Sequence, residues 1–297
     1  MDRLTRARRV PVWAWLAAIV VASALIRLWL VRGMAAPFVF VDELIYSELA
    51  KSVADGDGYA VRGQPASGYS VLYPALISPA YFLFEAVSDA YAAAKAIGAV
   101  TMSLAAIPAF LVARRVVRPS LALLAAALAV AVPSMAYTAT ITTESLFYPV
   151  AVTVAWLLLR YLERPGWWSL LILLGCCAVA FLTRAQSLAF LPAIATAPAL
   201  LVLVRGQVRV LRPFLPLYAV LAAGTVLVVA VQAARGLSPF DLLGAYSIVG
   251  EAGYDVSSVL RFWLWHIEEL DLYVGIVPLA ALLLLLGLAR SLPERVQ

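Results

Sequence analysis

Charge is what this sequence has least of. Charged residues are 13% of its 297 residues, against roughly a quarter in an ordinary soluble domain. With 64% hydrophobic residues and a mean hydropathy of +0.95, the chain has too little polar surface to face water all round. Cysteine is scarce too: Cys176 and Cys177 are adjacent in an apolar stretch, which excludes both a disulfide framework and a cysteine metal site. One histidine, His266, excludes a histidine-rich metal centre. No clear internal repeat runs through the chain. Residues 1–32 lack a small-residue cleavage pattern before Arg27, so they read as a retained first helix rather than a signal peptide. The net charge of +5 does not imply nucleic acid, because the arginines lie at the ends of apolar runs rather than in one stripe.

What is there is a series of uncharged runs: 10–26, 96–113, 119–143, 145–159, 165–183, 185–204, 213–234 and 272–289. Most approach the roughly 20 residues a helix needs to cross a bilayer. The short run at 145–159 reaches full length if Tyr161 and Leu162 extend it and Arg160 snorkels. The expectation is an all-α integral membrane protein with about eight transmembrane helices. Placing the amino terminus in the cytoplasm puts 14 of the 22 basic residues in short inner segments: Arg3, Arg6, Arg8, Arg9, Arg114, Arg115, Arg118, Arg160, Arg164, Arg205, Arg209, Arg212, Arg290 and Arg295. That satisfies the positive-inside bias and gives a multi-pass protein of the plasma membrane.

The same threading leaves two long outer segments, about 33–89 and 236–271. With Glu144 they hold 14 of the 17 acidic residues. Long ordered loops are where function concentrates. The first begins with Asp42-Glu43, and Leu44, Ile45, Leu49 and Val53 then recur near helical spacing. This predicts a short interfacial helix with Asp42 as its N-cap, closed by Asp55-Gly56-Asp57-Gly58. Leu72–Phe84, with Pro74 and Pro79, reads as a second interfacial or re-entrant helix.

Each candidate residue has a bland reading beside the functional one. Asp42 and Glu43 would favour any helix N-terminus by meeting the positive end of its dipole. Arg184, at the outer boundary between two uncharged runs, runs against the inside bias and either snorkels or has a partner. Lys95, near the start of the second helix, has the same alternative. Glu144 could simply cap its helix with Thr143. His266 sits among Trp263 and Trp265, which fit an interfacial aromatic belt better than a cofactor site. Taken together, a carboxylate in the first outer loop with basic residues at nearby helix ends suits sugar transfer from a lipid-linked phosphate. The leaving phosphate needs a cation, and the acceptor hydroxyl needs one base.

The order and placement of these elements resembles the GT-C glycosyltransferases that use polyprenyl-phosphate sugars, the group of protein O-mannosyltransferases and aminoarabinose transferases. The matching residues are Asp42-Glu43 with Tyr46 and Ala50, Tyr73-Pro74, Thr143-Glu144, and Leu182-Thr183-Arg184. The resemblance covers about residues 11–235. It implies a module at 1–235, a second outer loop at 236–271, and a last helix with a cytoplasmic tail at 272–297. It further implies Asp42 as general base, Glu43 orienting base or acceptor, Arg184 and Lys95 on the donor phosphate, and Glu144, Tyr46 and His266 supporting the site. Partners would be a lipid-linked sugar donor, a glycan, lipid or protein acceptor, and membrane lipids. No cofactor is required by the pattern; the acidic loops could bind a divalent cation, but no ligand spacing compels one. Relatives usually add several helices after the point where this chain stops, at Gln297, so a compact member, a fragment and one subunit of a complex all remain open. Outside the enzyme class, the alternatives are a transporter or lipid flippase, or an inactive partner subunit.

Overall fold

The computed structural model describes residues 10–34, 41–66, 68–131, 138–242, 253 and 255–273. It is mostly helical, as twenty-residue apolar runs with few glycines dictate. Helix α1 is Val12–Val31, α2 Val41–Ala54, α3 Leu72–Leu83, α4 Val87–Ser103, α5 Ala106–Ala113 and α6 Pro119–Ala129. Then come α7 Glu144–Glu163, α8 Trp167–Thr183, α9 Phe190–Arg205, α10 Leu215–Ala234 and α11 Val256–Tyr273. Among the described residues five stretches are long and apolar enough to cross a membrane: Val12–Val31, Val87–Ala113, Glu144–Glu163, Ala185–Leu203 and Val208–Ala234. Leu72–Leu83, Pro119–Ala129 and Trp167–Thr183 are shorter apolar helices. This is a multi-pass helical membrane protein.

The expectation of about eight spans differs from these five for physical reasons. The uncharged run at 119–143 is not one helix. Helix α6 ends at Ala129, and the polar Thr138–Thr143 stretch lies between it and α7. The run at 272–289 falls almost wholly outside the described residues. The second span begins at Val87, which puts Lys95 two turns inside it where the sequence suggests about one, and a turn at Leu104–Ala105 divides α4 from α5. A charge ends a membrane helix only if it needs water, and Lys95 does not. It is buried at 2% exposure and its Nζ donates to the carbonyls of Val31 at 3.1 Å and Met34 at 2.5 Å. Those carbonyls lie at and just past the end of α1, where the helix dipole is negative; the Val31 oxygen also accepts the Met34 N–H at 3.2 Å. The Lys95 ammonium also lies 4.3 Å from the centre of the Tyr91 ring.

Arg27 is handled in the same way. On α1 and 6% exposed, it donates to the Val130 carbonyl just past α6, at 2.6 Å, and to Ser23 and Thr138 hydroxyls at 3.2 Å each. Ser23 in turn meets Ser103 of α4 at 2.9 Å.

The chain divides into two compact units. The first comprises residues 1–131 and 135–250, the second 132–134 and 251–297. The first unit has two buried clusters. One packs Tyr46, Leu49, Tyr73, Ile77, Tyr91 and Ile141, joining α2, α3 and α4. The other packs Val154, Leu157, Tyr161, Leu170, Leu173 and Phe214, joining α7, α8 and the 3-10 turn before α10, with Tyr161 and Phe214 edge to face at 5.5 Å. Small residues let α4 and α7 approach: a Cβ on Gly98 would sit 3.3 Å from Ser145 Oγ. In the second unit, α11 starts from Asp255, whose carboxylate accepts from the Ser257 and Ser258 hydroxyls and, at 2.9 Å, from the Ser258 N–H. Those hydrogen bonds, the Ser257 hydroxyl foremost, hold the carboxyl well below its usual range. The lowered value keeps the cap charged at neutral pH, and it is lost only in strong acid.

Gly98→Leu forces α4 and α7 apart. It is expected to cost about 1–3 kcal/mol, read as a lower unfolding midpoint of the detergent-solubilised protein.

Candidate functional site

The site is built where helix ends meet. Helices α7 and α8 form an antiparallel pair joined by the short turn at 164–166, so the start of α7 lies beside the end of α8. Arg184 ends α8 by turning extended, at φ −153° and ψ 124°, and its side chain leaves the helix axis. Glu144 opens α7. Arg184 Nη1 donates to Glu144 Oε1, forming an ion pair. The guanidinium also lies 5.8 Å from the Phe147 ring centre, and Nε reaches Gln186 Oε1 at 3.4 Å.

The first long loop closes against this corner. Its hairpin pairs Ala60 with Pro65 and Val61 with Gln64. Arg62 and Gly63 turn it with φ of 51° and 75°, the left-handed values of a tight two-residue connection. Past the hairpin, the Val71 N–H donates to the Leu182 carbonyl at 3.0 Å and the Ser70 hydroxyl to the same oxygen at 3.3 Å. The Tyr59 hydroxyl holds the Val71 carbonyl at 2.8 Å.

Between loop and helix ends is a cavity of about 360 Å³. Asp42 and Tyr46 of α2 line it, with Tyr69, Ser70, Thr143, Arg184 and Gln186. Val71, Phe181, Leu182 and Leu242 make its apolar part. Asp42 is exposed to the cavity and has no hydrogen bond among the described residues. It lies in the first turn of α2, one residue inside the helix, instead of at the N-cap. Tyr46 is 9% exposed and meets Tyr73 edge to face at 5.6 Å.

Glu43, next along α2, points the other way and is fully buried. Its Oε1 accepts from the Tyr91 hydroxyl at 2.9 Å and from the Ile141 N–H at 2.8 Å. One carboxylate oxygen thus ties α2 to α4 and to the segment that leads into α7. Its other oxygen, Oε2, has no hydrogen-bond partner among the described residues.

The structure therefore brings Asp42, Tyr46 and Arg184 to one cavity, with Glu144 attached through Arg184. Glu43 stands behind it. Lys95 is not on the cavity wall; it is spent on the carbonyls at the end of α1. His266 lies on α11 in the second unit, exposed, with Nδ1 2.7 Å from the Phe262 carbonyl. Among the described residues no three of His, Cys, Asp and Glu gather in a metal-holding group. Sequence reasoning missed the cavity roles of Tyr69, Ser70 and Gln186, which no charge or motif marks. It also missed Arg27 as a buried tie, because an arginine four residues from the end of a span looks like a snorkelling one.

A half-apolar pocket at the ends of membrane helices, with a carboxylate and a cation on its walls, is a site for an amphiphile with an anionic head. The family comparison names the class. Residues 70–232, just over half the chain, match the model of the dolichyl-phosphate-mannose-protein mannosyltransferase family. The chain belongs to that family, and it is a membrane glycosyltransferase of the GT-C type, acting with a lipid-linked sugar donor and an acceptor. No curated protein and no solved structure matches it.

Glu43→Ala removes the acceptor shared by the buried Ile141 N–H and the Tyr91 hydroxyl. The expected loss is about 2–3 kcal/mol, and Tyr91→Phe, which leaves the Ile141 bond in place, should cost about 1 kcal/mol. Thermal unfolding of the two variants in detergent reads the difference.

Proposed function

We propose that the protein transfers a sugar from a polyprenyl-phosphate donor to an acceptor hydroxyl in one displacement, with inversion at the anomeric carbon. Asp42 is the base and Arg184 holds the donor phosphate. The observation that carries this reading is that Asp42 and Arg184, from distant parts of the sequence, line one cavity. Mannose is the sugar to test first, on the family's description.

The chemistry divides between the two side chains. The acceptor oxygen attacks the anomeric carbon as the bond from that carbon to the phosphate oxygen breaks. The electron pair leaves with the phosphate, and the hydroxyl proton passes to the Asp42 carboxylate. Charge grows on the phosphate oxygens during the step, so a guanidinium there stabilises the transition state more than the ground state. Asp42 carries no competing hydrogen bond among the described residues, which leaves both its oxygens available to an acceptor. Glu43 acts one step removed, by fixing the turn of α2 that presents Asp42. The apolar part of the cavity, Leu182 and Val71 among it, suits the first isoprene units of the lipid. Lys95 supports the site through the end of α1, and no step is assigned to His266.

The reading places this cavity on the non-cytoplasmic face, with the amino terminus inside. Arg62→Cys at the exposed hairpin turn should then react with a membrane-impermeant maleimide in intact cells. Labelling only after lysis would reverse the orientation.

The mechanism itself is tested by Asp42→Asn. A positioned base contributes about 10²–10⁴-fold, so transfer should fall by at least that range. Asp42 is exposed, so the variant should insert and unfold like the parent. An Asp42→Asn protein with full activity removes the base from this position and the reading with it.

A further inference from the structure

Among the described residues Arg184 is the sole lysine or arginine lining the cavity, and in this structure a carboxylate is already on it. Nη1 is taken by Glu144 and Nε by Gln186, while Nη2 has no partner among the described residues. The Arg184 and Glu144 side chains are 27% and 30% exposed, so water and other anions reach the pair. An ion pair at that exposure is weakly held and readily exchanged. A phosphate seated on the same guanidinium would place a second negative charge within a few ångströms of the Glu144 carboxylate. No other cation on the cavity wall offsets it, since Lys95 is bonded to Val31 and Met34 carbonyls. The phosphate and the Glu144 carboxylate repel each other in the same surroundings in which each attracts the guanidinium, so the two anions compete for Arg184.

The geometry points to Glu144 as the residue that sets donor affinity and selectivity, by competing with the donor phosphate for Arg184. The inference rests on the reading of Arg184 as the donor-phosphate site. Without Glu144, a lone guanidinium at the membrane end of a half-apolar pocket would take any anionic lipid headgroup. With Glu144 in place, a headgroup must displace a carboxylate. Membrane phospholipids then bind poorly, while a donor whose sugar also fills the Asp42 and Tyr46 side of the cavity gains enough further contact to do so. On donor binding the Arg184 pairing passes from Glu144 to the phosphate, and after transfer and product release it returns.

The test uses the full chain in detergent with three variants: Glu144→Gln, Glu144→Asp and Arg184→Gln. The probes are a short polyprenyl phosphate and, separately, phosphatidylglycerol as a competing anionic lipid. Removing the competing charge in Glu144→Gln should tighten polyprenyl phosphate by about fivefold or more, lower the KM for the sugar donor, and make phosphatidylglycerol a stronger inhibitor. Glu144→Asp keeps the charge and should stay close to the parent affinity. Unchanged or weaker binding by Glu144→Gln overturns the inference, and so does failure of that variant to fold, which would make the pair a structural brace. Arg184→Gln reports on the reading beneath. If it binds polyprenyl phosphate like the parent, Arg184 is not the donor site at all. If it loses binding while Glu144→Gln fails to tighten, the donor site stands and the role given to Glu144 falls.

Discussion

The rest of the site depends on the buried carboxylate of Glu43. A charged group with no exposure is tolerated only where hydrogen bonds replace its water, and here the Tyr91 hydroxyl and the Ile141 N–H both bind one oxygen. Those donors belong to α4 and to the strand of chain before α7. Beyond this bond, α2 is held mainly by the packing of Tyr46, Leu49 and Ala50, which is less directional than a buried hydrogen bond. The Glu43 bond fixes its rotation. Because successive helical residues point about 100° apart, fixing Glu43 inward fixes Asp42 toward the cavity. The same bond sets the start of α7, and with it Glu144 and then Arg184.

Buried cations supply the complementary half of the framework. Lys95 and Arg27 both lie within spans, and both end on the carbonyl ends of other helices instead of on carboxylates. The carbonyl end of a helix carries partial negative charge and has up to four unpaired acceptors. In lipid neither water nor headgroups can satisfy them, so a cation from a neighbouring helix does both jobs at once. Lys95 closes α1 at the point from which the chain runs into α2. Arg27 reaches Val130 just after α6 and the hydroxyl of Thr138 beyond it. Polar residues thus secure the segments that flank the cavity at points where apolar packing alone would leave them free.

How much of this could be read from the residues depends on what each one signals. The helical, membrane-crossing character followed from run length, and the turn at Asp55–Gly58 and helices over α2 and Leu72–Leu83 followed from periodicity and turn chemistry. The pairing of far-apart Asp42 and Arg184 at one cavity was approached through charges that defied their surroundings. Depth was harder to read than presence: Lys95, expected about one turn inside its helix, lies two turns inside because carbonyls serve in place of solvent. Counting uncharged residues failed at 119–143, where helix α6 already ends at Ala129 with no charge to mark the end. Tyr69 and Gln186 gave no signal because a cavity wall is a property of assembly, and neither residue is unusual for a loop.

On the proposed function, the placement of the cavity at helix ends suits the donor. A lipid-linked sugar has an anionic, hydrated head on a tail that stays in hydrocarbon, so its reacting bond lies at the depth where spans finish. Only at that depth can one pocket have Phe181 and Leu182 on one side and Asp42, Thr143 and Arg184 on the other. Helix ends also provide the backbone polar groups that hold loops down, as the Leu182 carbonyl holds both Ser70 and Val71. Building the site on antiparallel α7 and α8 gives a cation and a carboxylate from two rigid elements in a fixed relation, while the first loop closes over them from one side. The arrangement separates two demands. The helices hold the charges in place, and the loop from Gly68 to Val71, which carries no charge, is left to shape what fits beside them.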